Sequence, residues 1–244
     1  MKERVLLITG ASSDVGMGIL QDIYMEYECI FLHYRTMNDS LAKFVEKHGN
    51  EVKLIPIQAD FAVDSDVDKL IETIEISGYL PNNIIHLTAP KAYNQHFEKD
   101  SIENYDLAWK VSVRSITKIL QKFLPNMKKN KYGRIVFMLS AYTLNIPPKY
   151  QVSYCTIKYS LLGMVKALSS EYISKGITVN GISPQMMETK FLSDIPQLIV
   201  EETKNRSPIG RTVCIEEIIP LVKYMLSGEG AAFTGQNVGI TGGL

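Results

Sequence analysis

The sequence predicts an α/β protein, one doubly wound domain with a seven-stranded parallel sheet and helices on both faces. Three observations carry that expectation. Short apolar, β-branched-rich runs of strand length alternate with longer stretches of helical period along all 244 residues. The short runs show little polar–apolar alternation, as strands buried on both faces require. No internal repeat, low-complexity tract or linker divides the chain, so residues 1–244 read as one domain.

Taken in order, the first strand is Val5–Thr9, followed by a helical pattern at about 16–27. Cys29–Tyr34 is the second strand, with a patterned stretch at 39–48 after it. Val52–Gln58 and Ile84–Thr88 are the third and fourth, separated by a helix at 64–77. A long helix at 101–129 comes next, with Asp100 and Glu103 as its capping box and a bend near its end at Pro125. Arg134–Leu139, a helix at 150–174, Thr178–Ile182, a helix at 214–227 and Asn237–Ile240 complete the pattern. Right-handed crossovers then distribute the helices over both faces.

Composition narrows the function. The chain is 45% hydrophobic and 21% charged with a formal net charge of zero, so neither nucleic acid nor a membrane surface is its expected partner. Cys29, Cys155 and Cys214 are too scattered for a disulfide framework or a zinc site and read as small buried hydrophobes. His86 and His96 have no second ligand at chelating spacing, so no metal is expected. The apolar run after Lys2-Glu3-Arg4 is too short for a signal peptide or a membrane span, which points to a cytoplasmic address.

Thr9 to Gly18 follows the first strand and opens the first helix, where a dinucleotide loop belongs. Its small residues, with Gly10, Ser12, Ser13, Asp14, Val15 and Gly16 as the candidates, let backbone N–H groups and the helix dipole meet a pyrophosphate. The second strand ends in His33-Tyr34-Arg35 with no acid to bind a ribose 2′-hydroxyl, and Arg35 offers a guanidinium for a 2′-phosphate. NADP(H) is therefore the expected cofactor, with NAD(H) less favoured. After the third strand, Asp60 could accept from an adenine amino group or cap the next helix, with Phe61 beside it.

Tyr154 and Lys158 stand four apart in a predicted helix and share a face, where an ammonium favours the phenolate needed for general acid/base work. Ser140 ends the fifth strand fourteen positions before that tyrosine, on the edge where ligands collect.

On these residues the chain resembles the short-chain dehydrogenase/reductase family, of Rossmann type, over essentially its whole length, and most of all the 3-oxoacyl-carrier-protein reductase type. The matching pieces are Thr9-Gly10 through Gly16, Asp60, Ser140, Tyr154 with Lys158, Gly176 to Asn180, Pro184, Glu188-Thr189 and Thr234-Gly235-Gln236. The resemblance implies that Tyr154 gives a proton to the carbonyl oxygen and Ser140 hydrogen-bonds that oxygen. Lys158 would hold the nicotinamide ribose and lower the tyrosine pKa, and Thr189 would contact the carboxamide. It also implies strand order 3-2-1-4-5-6-7, a homodimer or homotetramer, and a small or carrier-linked carbonyl substrate.

Four positions depart from the family pattern. Asp14 replaces a loop glycine and is read as turning to backbone donors at the helix start. Thr88-Ala89-Pro90 replaces Asn-Ala-Gly, Gln185 follows Pro184 in place of glycine, and Ser112 stands for an asparagine that supports the proton relay. Residues 190–210 are read as a lid, with Phe191, Leu192, Ile195, Leu198 and Ile199 facing substrate or packing as an ordinary helix. Two other readings compete. One is a sugar-nucleotide-modifying enzyme, disfavoured by the chain's end at Leu244. The other is a cofactor-binding protein with weakened catalysis and a structural or sensing role, motivated by Ser112, Pro90 and Gln185.

Overall fold

Seven parallel strands form one sheet in the order β3-β2-β1-β4-β5-β6-β7, in a computed structural model that describes residues 4–91, 93–187, 189 and 197–243. The strands are β1 (Val5–Thr9), β2 (Cys29–Tyr34), β3 (Lys53–Gln58), β4 (Asn83–His86), β5 (Gly133–Met138), β6 (Ile177–Pro184) and β7 (Asn237–Ile240). Successive side chains point to opposite faces, and both faces are apolar. Leu7, Phe31, Ile84 and Phe137 pack beneath α3 (Asp64–Ile76), α5 (Ser115–Asn130) and α6 (Val152–Tyr172). Leu6, Ile8, Ile30 and Val136 pack beneath α1 (Asp14–Ile23), α2 (Asp39–His48) and α8 (Ile215–Leu226). Each such side chain, when fully buried, stabilises the fold by about 1.5–3 kcal/mol, so the unalternated strands are what make two cores.

Local chemistry moves several boundaries. The first helix starts at Asp14, two residues earlier than its hydrophobic pattern, because Ser13 caps it and accepts from Gly16 N–H at 3.0 Å. Asp14 therefore occupies the first turn and is not the cap. The long helical stretch is broken in two. Ser101 caps α4 (Ile102–Trp109) by accepting from Asn104 N–H, whereas Asp100 accepts from the Tyr93 hydroxyl and the Asn104 amide, so the expected Asp100/Glu103 box does not form. A π turn at Lys110–Arg114 separates α4 from α5, and Pro125 lies within α5, which continues to Asn130. β4 stops at His86, two residues short of the expected Thr88; Leu87 N–H makes the last ladder bond, to Thr9 O, and the chain then leaves the sheet. α7 (Gln197–Arg206) lies inside the segment read as a lid.

Candidate active site

The end of β1 turns at Gly10, whose φ of +77° favours glycine, and enters α1 directly. A Cβ on Gly16 would lie 2.6 Å from the Gly10 carbonyl, so the loop and the helix start are in closest contact there. Ser13 joins them, its hydroxyl donating to Gly10 O at 2.7 Å while it caps Gly16. Removing such a cap costs ~1 kcal/mol. Ser12 is fastened from outside the loop: its carbonyl accepts from Asn38 Nδ2 at 2.7 Å, and Asn38 caps α2 through Leu41 N–H. Asn38 carries no separate signal in the sequence, since a cap of α2 accounts for it. Val15 is half-buried in the first turn.

The adjacent strand ends supply the remaining candidates of this half. Arg35 is exposed one residue beyond β2, with its carbonyl accepting from Gln58 Nε2 at 3.2 Å. Asp60 folds onto its own loop, accepting from Ala62 N–H at 2.9 Å, and Val63 stands at the start of α3 instead. Phe61 is buried, its ring stacked on that of His33 with centroids 3.9 Å apart. Thr88 and Ala89 follow β4, and the Thr88 hydroxyl lies 3.6 Å from where a Gly10 Cβ would be.

The chemical half is built on β5 and α6. Ser140 is buried two residues past β5, accepting from Tyr142 N–H at 3.3 Å. Below it Thr143 donates to Ser140 O at 2.8 Å and is itself held by Ser183 and Asn237, three polar residues without any motif to mark them. Lys158 is buried and donates to Met138 O at 2.8 Å, with Nζ 5.5 Å from the Tyr154 ring centre. Burial pushes the Lys158 ammonium down to about 8. Burial also pushes the Tyr154 phenol well above its ordinary value, and a hydrogen bond with Ser140 pulls the other way. Tyr142 packs edge-on against Tyr154 at 5.9 Å.

Ser112 sits in the π turn, fully buried, with its hydroxyl unpartnered among the described residues and its carbonyl accepting from His86 Nε2 at 2.8 Å. Pro184 ends β6, and Gln185 after it is 6% exposed with neither amide atom partnered among the described residues. Thr189 is half-buried. Glu188 and the lid residues Phe191, Leu192 and Ile195 lie outside the described residues, and Leu198 is exposed. A buried polar atom without a partner costs about 1–3 kcal/mol. Among the described residues Thr88 Oγ1, Ser112 Oγ and the Gln185 amide carry that cost, and Thr88 and Gln185 follow the carboxyl ends of β4 and β6, where a polar ligand of dinucleotide type would meet them. Among the described residues no cluster of three metal-ligating side chains occurs, and no helix is long and apolar enough to cross a membrane.

Comparison with known proteins places this geometry. The family model described as enoyl-(acyl carrier protein) reductase matches residues 10–244. An uncharacterized oxidoreductase, YmfI of Bacillus subtilis, is 28% identical over 98% of both chains. The 3-oxoacyl-[acyl-carrier-protein] reductase FabG of Thermotoga maritima is 26% identical over 100% of this chain and 98% of its own. A 3-oxoacyl (acyl-carrier-protein) reductase from Agrobacterium tumefaciens, solved with NADP bound, superposes with a TM-score of 0.88 at 20% identity, covering 99% of this chain and 94% of that one. With the seven-stranded parallel sheet, these matches make the chain an oxidoreductase of the short-chain dehydrogenase/reductase family, resembling its 3-oxoacyl-carrier-protein reductases.

Proposed function

We propose that this chain is a cytosolic, NADP(H)-dependent enzyme that reduces a ketone to an alcohol, or runs the reverse, with Ser140, Tyr154 and Lys158. The observation that carries this reading is the buried Lys158 beneath Tyr154 on α6, facing Ser140 at the end of β5. The nicotinamide, when bound, supplies or takes the hydride. Tyr154 gives the proton to the carbonyl oxygen as that oxygen gains the electron pair, and Ser140 donates a hydrogen bond to it. A phenol held neutral by burial is a suitable proton donor, and Lys158 near 8 can restore its proton. Ser112 joins the proton relay from the π turn, which packs on α6. The loop from Gly10 to Gly16 takes the pyrophosphate, Arg35 the 2′-phosphate, Asp60 and Phe61 the adenine side, Thr88 and Ala89 the ribose side, and Pro184 and Thr189 the carboxamide. The whole chain acts as one cofactor-binding domain, with residues 190–210 closing over substrate. The FabG relative supports a 3-oxoacyl or similar carrier-linked substrate, and the NADP in the Agrobacterium structure supports the cofactor.

The same reading includes a homodimer or homotetramer. Ile102, Leu107 and Trp109 on α4 and Val152 and Tyr159 on α6 are large apolar side chains left exposed on two neighbouring helices. Light scattering at micromolar concentration should give a dimer or tetramer mass, and a monomer mass refutes the assembly.

Replacing Tyr154 by Phe removes the proton donor and keeps the ring. Turnover of NADPH with a panel of free and carrier-linked ketones should fall by about 10²–10⁴-fold with cofactor affinity nearly unchanged. More than half of wild-type turnover, with chemistry rate-limiting, refutes the assignment. A wild type that binds NADPH but reduces nothing in the panel favours the weakened, cofactor-binding reading.

Arg35→Ala tests the cofactor. Charge-assisted hydrogen bonds to the 2′-phosphate contribute about 1.5–3 kcal/mol, so NADPH affinity should fall about ten- to a hundredfold while NADH affinity holds. Equal losses for both, or a wild-type preference for NADH, refute the choice of NADP.

A further inference from the structure

Two buried histidines bracket the end of β1. Thr9 pairs across the sheet with His33 of β2 on one side and with His86 of β4 on the other. The two residues are 2% and 1% exposed. Their partners fix each ring in one neutral form. The Gly10 N–H can only donate, so His33 Nδ1 accepts from it at 3.0 Å and Nε2–H donates to Ala59 O at 3.1 Å. The Ser112 carbonyl can only accept, so His86 Nε2–H donates to it at 2.8 Å and Nδ1 accepts from the Thr9 hydroxyl at 2.8 Å. Thr9 Oγ1 in turn accepts from Leu87 N–H at 3.2 Å. Burial holds His33 down to about 4 and His86 to about 3, with Asp60 opposing the first shift and Lys158 and His33 reinforcing the second. Both rings stay neutral at neutral pH, with every ring nitrogen bonded.

Aliphatic side chains would fill these two core positions without burying any polar atom. The imidazoles instead give hydrogen-bond acceptors to two consecutive residues, the Thr9 side chain and the Gly10 backbone, from opposite sides. Those two residues are where the strand turns into the loop before α1, and Ala11 N–H is also held, by His33 O at 2.8 Å. Their other ring nitrogens tie the same turn to the start of the adenine-side loop at Ala59 and to the π turn beside the catalytic helix. We infer that His33 and His86 are positioning residues of the dinucleotide loop, holding Thr9–Gly10 so that the N–H groups opening α1 face the cofactor's pyrophosphate. The inference rests on the reading of that loop as the cofactor site and does not depend on the catalytic residues.

Binding measures it without any substrate. Fluorescence titration of NADPH and NADH identifies the cofactor that the wild type binds more tightly, and that cofactor is then titrated into His33→Phe and His33→Asn. Phe keeps a flat ring over Phe61 and cannot accept from Gly10, whereas Asn sets an amide oxygen near the place of Nδ1. The expected result is a rise in Kd of about tenfold or more for Phe and rescue to within about threefold by Asn. Binding of adenosine 2′-monophosphate, which has no pyrophosphate, should change by less than about threefold in both, the small loss expected from the bond to Ala59. His86→Met and His86→Asn form a second pair with the same expected order, which decides the matter if His33→Phe fails to fold by circular dichroism. Unchanged cofactor affinity in folded Phe and Met variants overturns the inference, as does an equal loss for adenosine 2′-monophosphate or no rescue by Asn. A wild type that binds neither cofactor overturns the loop reading itself, and this inference with it.

Discussion

Right-handed crossovers dictate where a ligand can sit in this molecule. From β1 the chain works outward through β2 to β3, then returns and continues on the other side of β1 through β4 to β7. Connections leaving β1 and β4 therefore go to opposite faces of the sheet, and a crevice opens beyond their carboxyl ends. Candidate residues from β1, β2, β3, β4, β5 and β6 stand at strand ends along that edge, and the helices supply the rest. The sheet holds them because its strands are apolar on both faces and sealed by two helical layers.

Burial then decides the charge state of the groups at the edge. The same desolvation raises Tyr154, lowers Lys158, and keeps His33 and His86 neutral. Each outcome suits a different role. The phenol keeps its proton until one is required, and the amine can exchange protons near neutrality. The two imidazoles serve only as fixed hydrogen-bonding groups. Hydrogen bonds to backbone, from Lys158 to Met138 and from His86 to Ser112, set the positions in which those states act. Electrostatics and geometry are thus supplied by one arrangement of elements.

The strands and their order are legible because apolar, β-branched runs such as Val5–Thr9 and Cys29–Tyr34 report double-sided burial directly. Boundaries are less so, since they depend on single hydrogen bonds. Ser13 in place of Asp14 starts α1, and Tyr93 draws Asp100 away from the cap of α4. The π turn at Lys110–Arg114 leaves hydrophobic spacing nearly intact, so the pattern at 101–129 reads as one helix. Within the candidate site, Gly10, Ser140, Tyr154 and Lys158 carry spacing that points to chemistry. His33, His86 and Asn38 act through contacts made across strands and loops, and no spacing along the chain marks them. The one visible hint is histidine inside two apolar strands. Spacing rules weigh His86 only as a metal ligand and His33 only as a position without an acid, so neither reveals the contact it makes.

Hydride transfer is the central chemical claim, and isotope labelling measures it most directly. NADPH carrying deuterium on the reactive face of its nicotinamide C4 would be consumed with a ketone that the enzyme accepts, and the alcohol analysed by mass spectrometry and NMR. One deuterium per molecule, on the carbinol carbon, is the predicted result. An alcohol free of deuterium, with the label at C4 retained or lost to water, contradicts it.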